Sequence, residues 1–174
     1  MASDSELIQI VDAALAEATR KSGAWLICRP GCTQCCHGPF EITQLDAHRL
    51  RQGLAELESR DPRRADSIRR RARHAAQLAN FSDDDACPAL DPQTGTCDLY
   101  ASRPITCRCF GPPVQCASGE VGVCELCFDG ASDEEIAACL VDFDPEGLES
   151  DLVDALERAT GVSGMTTVAL SLLS

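Results

Sequence analysis

Twelve cysteines in 174 residues constrain this chain more than any other feature of its sequence. Four of them lie within the nine residues CRPGCTQCC, from Cys28 to Cys36. Aromatic residues make up only 4% of the chain, so the apolar core is lean and the cysteines have to supply part of the stability. The length suits one domain of ordinary size, and we expect a single domain over residues 1–174.

We expect the cysteines to be reduced, because the N-terminal residues do not have the pattern of a secretory signal. Acidic residues come early there, and no basic stretch precedes a long apolar run. The most apolar segment, residues 164–173, has about half the length that a bilayer-spanning helix needs. The sequence therefore predicts a cytoplasmic protein without a membrane partner, whose closely spaced thiols bind metal. Disulfides are the alternative in an oxidising compartment.

The charge balance argues against nucleic acid as a partner. Acidic residues outnumber basic ones 28 to 15, and the formal net charge is −13. The basic run RRADSIRRRARH, residues 63–74, contains no aromatic residue that could stack on a base. We interpret it as a solvated helix face, or one that folds back onto the chain's own acids. An acidic protein partner stays open as an alternative.

Apolar periodicity and capping signals predict helices near both ends of the chain and a loop-rich middle. Between residues 81 and 130, Pro, Gly, Asp and Cys recur every few positions and no apolar period persists. The tail, residues 165–173, fits a short helix or a strand. The predicted helices cover residues 5–22, a segment that begins at Thr43 and is interrupted at Pro62, residues 63–80, a segment that begins after Ser132, and residues 144–161.

The first group of cysteines has the spacing of metal ligands. Two thiolates separated by two residues, as in Cys32 and Cys35, can both reach one tetrahedral ion. Adjacent Cys35 and Cys36 cannot easily do so in extended chain, because neighbouring side chains point apart. Seven candidates exceed the four ligands of one ion, so this first site is binuclear or has spare thiols. The candidates are Cys28, Cys32, Cys35, Cys36, Cys87, Cys97 and Cys107.

A second C-x2-C pair downstream indicates a second site. We expect its ligands to be Cys116, Cys124, Cys127 and Cys139, of which Cys139 is the weakest member because it falls in a predicted helix. Four thiolates around a divalent ion leave a charge of −2, which nearby arginines can offset. The candidate residues around the bound cofactor are Tyr100, Arg103 and Arg108, with surface ion pairs as the alternative for each arginine.

The order of these motifs resembles the YkgJ family, also called the CxxCxxCC or zinc- or iron-chelating domain. The likeness covers residues 28–110, and residues 111–174 form an additional C-terminal segment with cysteines and helices. Cys28 is one residue farther from Cys32 than the usual spacing. The matching positions are Cys87, Leu90, Gly95, Cys97, Tyr100, Arg103, Pro104, Cys107, Arg108 and Phe110. The resemblance implies a cysteine-ligated zinc or iron centre, and a similar region in flagellin lysine N-methylases implies an iron–sulfur cluster.

Two functional readings stay open. In the first, the protein is an accessory, structural or redox module that holds a [4Fe–4S] cluster or Zn²⁺ entirely with protein thiols. In the second, it is a metal-dependent enzyme with an open coordination position near Tyr100 or Arg103. The C-x3-C-x2-C spacing alone also suggests a radical SAM enzyme, but the chain lacks the strand–helix repeats such a barrel needs. We therefore expect a mainly α fold with a loop-rich, metal-stapled centre.

Overall fold

Helices of 4 to 19 residues and two-residue strands make up most of the regular structure. The computed structural model describes residues 3–78, 82, 85–115, 121–124 and 126–173. Within them the helices are α1 (Asp4–Ser22), α2 (Gln44–Arg60), α3 (Pro62–Gln77), α4 (Ile105–Cys109), α5 (Asp133–Ala138), α6 (Leu148–Thr160) and α7 (Val168–Ser171). The antiparallel strand pairs are β1 (Glu41–Ile42) with β6 (Thr166–Thr167), β2 (Leu90–Asp91) with β3 (Thr96–Cys97), and β4 (Val114–Gln115) with β5 (Val121–Gly122). The mainly helical class predicted from the sequence is confirmed.

Local capping residues set most of the helix starts. The Ser3 side chain accepts from the Glu6 backbone N–H at the start of α1, and Thr43 accepts from Asp46 at the start of α2. Ser132 forms a capping box with Glu135 at the start of α5. The capping signals of α2 and α5 were predicted because each lies within four residues, whereas the helix over residues 5–22 was predicted from its apolar spacing and not from the Ser3 cap.

Two boundaries differ from the prediction. Asp144 accepts hydrogen bonds from the backbone N–H groups of Leu148 and Glu149, so α6 begins at Leu148 rather than at Asp144. Pro62 begins α3 instead of only interrupting α2, with Asp61 as the capping residue. The tail contains both alternatives, since strand β6 is followed directly by α7.

The chain divides into two compact units, each built from two stretches. Unit 1 comprises residues 1–29 and 105–152, and unit 2 comprises residues 30–104 and 153–174. In unit 2, helices α2, α3 and α7 pack on one another around a core that includes Leu50, Leu54, Ile68, Val168 and Leu172. Ala89 and Leu99, on either side of the β2–β3 hairpin, also belong to this core. The hairpin therefore rests on the helices.

In unit 1, α1 packs against α4. The same unit contains a second, smaller apolar cluster. That cluster contains Cys124, Cys127, Phe128 and Cys139, with Trp25 packed against it. No helix in the described part of the chain combines the length and apolar character that a bilayer span requires. The assignment of residues 1–174 to one domain, with a boundary after residue 110, stays a prediction.

Candidate metal centre

Backbone pairing in unit 2 brings the CRPGCTQCC segment next to Cys87. The Cys87 N–H donates to the Cys36 carbonyl at 2.7 Å, and the Gly38 N–H donates to the Asp85 carbonyl at 2.9 Å. His37 and Ala86 lie between these bonds in an antiparallel bridge. Two stretches of chain about fifty residues apart therefore meet at adjacent cysteine positions.

The β2–β3 hairpin adds Cys97 to this group. Cys97 pairs with Leu90, and the Leu90 N–H closes a turn back to the Cys87 carbonyl at 2.9 Å. Cys87 and Cys97 both pack against the helical core of unit 2. Gly95, at the tip, has a φ of +65°, which favours glycine. A Cβ there would lie 3.6 Å from Thr33 and 3.8 Å from Gly31, so the hairpin tip borders the two neighbours of Cys32.

Two arginines of α3 brace the hairpin from the helix side. Arg71 donates from Nε to the Pro88 carbonyl at 2.8 Å and from a terminal nitrogen to Asp98 at 2.7 Å. Arg64 forms a second ion pair with the same Asp98 carboxylate, whose side chain is 1% exposed. Pro88 follows Cys87 and Asp98 follows Cys97, so the same guanidinium bonds to the residue after each of the two cysteines, through a carbonyl at Pro88 and a carboxylate at Asp98. The basic run was interpreted as a solvated face or one that folds back onto the chain's own acids, but the contact of Arg71 with the hairpin could not be predicted, because only the tertiary fold brings α3 to the hairpin.

Two further arginines of the run also pair with acids. Arg69 makes a bidentate pair with Glu58, and Arg70 pairs with Asp66 one turn away. The interpretation that the basic face folds back onto the chain's own acids is therefore confirmed for these side chains.

The thiols of unit 2 influence one another's ionisation. Cys36 hydrogen-bonds to the Cys35 sulfur, which lowers the pKa of Cys35 to about 6 and raises the pKa of Cys36. Burial raises the pKa of Cys87 to about 11 and also raises the pKa of Cys97. Charges on Cys87 and Cys97 add to the upward shift of the Cys36 pKa, so the four sulfurs share one electrostatic neighbourhood.

Arg103 and His37 lie at the edge of this neighbourhood. The Arg103 guanidinium sits 3.9 Å from the centre of the exposed Tyr100 ring and donates to the Tyr100 carbonyl at 2.9 Å. Its positive charge helps to lower the pKa of Cys35 and partly offsets the upward shift at Cys97. The Nδ1 atom of His37 lies 2.9 Å from the Thr33 carbonyl, so this nitrogen carries the proton.

Unit 1 contains a separate set of thiols. The Sγ atoms of Cys28 and Cys127 are 3.9 Å apart, and Cys124 is hydrogen-bonded to Cys127 through its side chain. Burial raises the pKa of Cys124. The Cys139 thiol donates to the Lys21 carbonyl at 3.4 Å. Cys28 thus lies with the C-terminal C-x2-C pair, a grouping that spacing along the chain did not predict.

The other predicted residues have the following positions. Cys107 is half-buried in α4 of unit 1, and Cys109, which was not among the predicted ligands, is buried in the same helix. Arg108 is buried and donates to Asp12 of α1 at 2.8 Å. Cys116 lies outside the described residues.

The described thiols fit a soft metal by donor type. None of the eleven described cysteines forms a disulfide. Within the described residues, no three His, Cys, Asp or Glu side chains are positioned to hold one metal ion. Thiolate sulfur is nevertheless the preferred donor for zinc and for iron–sulfur clusters. Ligation would therefore require the side chains to turn about a backbone that already brings several cysteines together.

The fold and these thiols define a small helical protein with reduced cysteine groups in both of its units. Residues 27–127, more than half of the chain, match the family model described as CxxCxxCC: Putative zinc- or iron-chelating domain. The chain belongs to this family, which confirms the resemblance seen in the sequence. No curated protein and no solved structure matches the chain.

Proposed function

We propose that this protein binds a metal centre through cysteine thiolates of unit 2 and acts as a structural or redox accessory module. The ligands we propose there are Cys35, Cys36, Cys87 and Cys97, with Cys32 as the further thiol of the C-x2-C pair. The observation that carries the proposal is the pairing of the Cys36 and Cys87 backbones, with Cys97 on the adjoining hairpin.

The proposed roles of the other groups follow from their charges. Four thiolates give the centre a net negative charge with a divalent ion, and Arg103 supplies a positive charge beside Cys35 and Cys97. Arg71 keeps the Cys87 and Cys97 backbones in place through Pro88 and Asp98. When bound, zinc would crosslink the loop-rich centre, whereas a [4Fe–4S] cluster would also carry an electron.

The cavity that borders Cys87 gives little support to an enzymatic role. A cavity of about 60 Å³ borders Cys87. Phe40, Pro88 and Val168 line much of it, so it offers few polar groups to a substrate. A metal-dependent enzyme would need polar groups around an open coordination position.

The test is anaerobic purification of the full chain, followed by elemental analysis, a labile-sulfide assay and an optical spectrum. Iron with sulfide and a brown colour would identify a cluster, and zinc in a colourless protein would identify a zinc site. We expect Cys97→Ser to lose this metal and Thr96→Ala, an exposed neighbour in the same strand, to retain it. Metal absent from the wild-type chain, or full retention in Cys97→Ser, would contradict the proposal.

A further inference from the structure

The Cys28 and Cys127 sulfur atoms lie 3.9 Å apart although 99 residues separate them in the chain. Cys28 is exposed and Cys127 is only 3% exposed. Both residues belong to unit 1, so neither is among the unit 2 thiols of the proposed function.

Several contacts hold the two segments together independently of the thiols. The Phe128 N–H donates to the Trp25 carbonyl at 3.3 Å, and the two rings stack with centroids 6.1 Å apart. Phe128 has a φ of 61°, a rare conformation for a residue with a side chain, which surrounding packing must maintain. The Cys127 N–H closes a turn onto the Cys124 carbonyl at 2.9 Å, as in a C-x2-C metal-binding turn.

The Cys28 sulfur also lies close to Gly111. Gly111 has a φ of +124°, and a Cβ built on it would lie 3.1 Å from the Cys28 sulfur and 3.2 Å from Leu26. A side chain at position 111 would therefore press on the Cys28 thiol as well as strain the backbone.

The sulfur–sulfur distance can be compared with the distances expected for a single ion, a disulfide and a cluster. A tetrahedral ion with metal–sulfur bonds of about 2.3 Å has its sulfur ligands about 3.8 Å apart. A disulfide needs about 2.0 Å. In a [4Fe–4S] cluster each cysteine binds a different iron, which places the sulfurs farther apart than the ligands of a single ion. The observed separation, which here is a thiol–thiol contact, therefore also suits two ligands of a single ion and is too short for two ligands of a cluster.

We propose that Cys28, Cys124 and Cys127 bind one divalent ion of the zinc type within unit 1. Cys28 and Cys127 already have the separation of two such ligands, and Cys124 completes the set by turning its side chain from Cys127 towards the ion. Cys139 stays outside the set because its thiol is engaged by the Lys21 carbonyl. This assignment goes beyond the proposed function: it adds Cys28 to the second site and removes Cys139 from it, while Cys116 lies outside the described residues.

The test is anaerobic titration of the reduced full chain with Co²⁺ and Zn²⁺, followed by thiolate-to-cobalt absorption and competition with a chromophoric chelator. We expect Cys28→Ser to lose about one bound ion per chain or to lower the affinity for that ion at least about 100-fold. Substitution of groups that only support a ligand already lowers metal affinity about 10- to 100-fold. Cys139→Ser, the matched control from the same apolar cluster, should keep wild-type binding. The double variant Cys28→Ser/Cys127→Ser should lose no more metal than Cys28→Ser alone.

A second readout follows the reactivity of the Cys28 thiol directly. Zinc should protect the exposed Cys28 thiol from alkylation in the wild-type chain, and this protection should vanish in Cys127→Ser. Unchanged metal binding in Cys28→Ser, or a Cys28–Cys127 disulfide in the anaerobically purified protein, would overturn the assignment. If Cys97→Ser still lost metal in that case, the proposed function of unit 2 would stand.

Discussion

Replacing Arg71 by alanine should destabilise unit 2 far more than its position in a charged surface run suggests. The substitution removes two hydrogen bonds from a charged donor, one to the Pro88 carbonyl and one to Asp98. Such bonds contribute about 1.5–3 kcal/mol each when buried. The Arg71 side chain is 28% exposed, and Asp98 keeps its pair with Arg64, so each bond should contribute only about 1–1.5 kcal/mol. We expect a loss of about 2–3 kcal/mol in the free energy of unfolding.

Urea unfolding of the reduced, chelator-treated protein, followed by far-UV circular dichroism, measures this loss. Arg70→Ala is the matched control, because Arg70 is 61% exposed and pairs with Asp66 one turn away on the same helix. We expect Arg70→Ala to lower the free energy of unfolding by no more than about 0.5 kcal/mol. Arg71→Ala and Arg70→Ala with equal unfolding free energies would refute the argument that Arg71 braces the hairpin.

Three further predictions concern packing, ionisation and metal removal. Gly53→Ala should lower the free energy of unfolding by about 1–3 kcal/mol, because its Cβ would lie 2.5 Å from the Ser102 Cβ. Thermal unfolding measures this loss, and adding Ser102→Gly should restore most of the stability. In the reduced, metal-free protein, the alkylation rate of Cys35 should have its midpoint near pH 6, because the residue is a thiolate above its lowered pKa and is protonated below it. Cys36→Ala should raise that midpoint. An unshifted midpoint would contradict the hydrogen-bond explanation. Complete chelation should unfold the loop-rich centre, because metal affinity there is folding energy; an unchanged circular dichroism spectrum and melting curve would contradict this.

The elements that could be predicted from the sequence are those governed by neighbouring residues. The starts of α1, α2 and α5 depend on capping side chains that reach three residues ahead. The start of α6 was misplaced because Asp144 caps it from four residues away rather than directly.

The groupings that could not be predicted depend on contacts distant in sequence. Nothing in the spacing of CRPGCTQCC indicates that Cys28 lies beside Cys127, since Trp25 and Phe128 bring those segments together. Similarly, the sequence gives no sign that Arg71 holds the backbone beside Cys87 and Cys97. Residue type indicated thiolate metal binding, whereas the division of the thiols between units 1 and 2 required the fold.

X-ray absorption spectroscopy at the edge of the metal found in the anaerobically purified chain tests the central claim most directly. The account predicts a first coordination shell made of sulfur at about 2.3 Å, for zinc and for an iron–sulfur cluster alike, with an iron–iron shell only for the cluster. A first shell dominated by nitrogen or oxygen would contradict it.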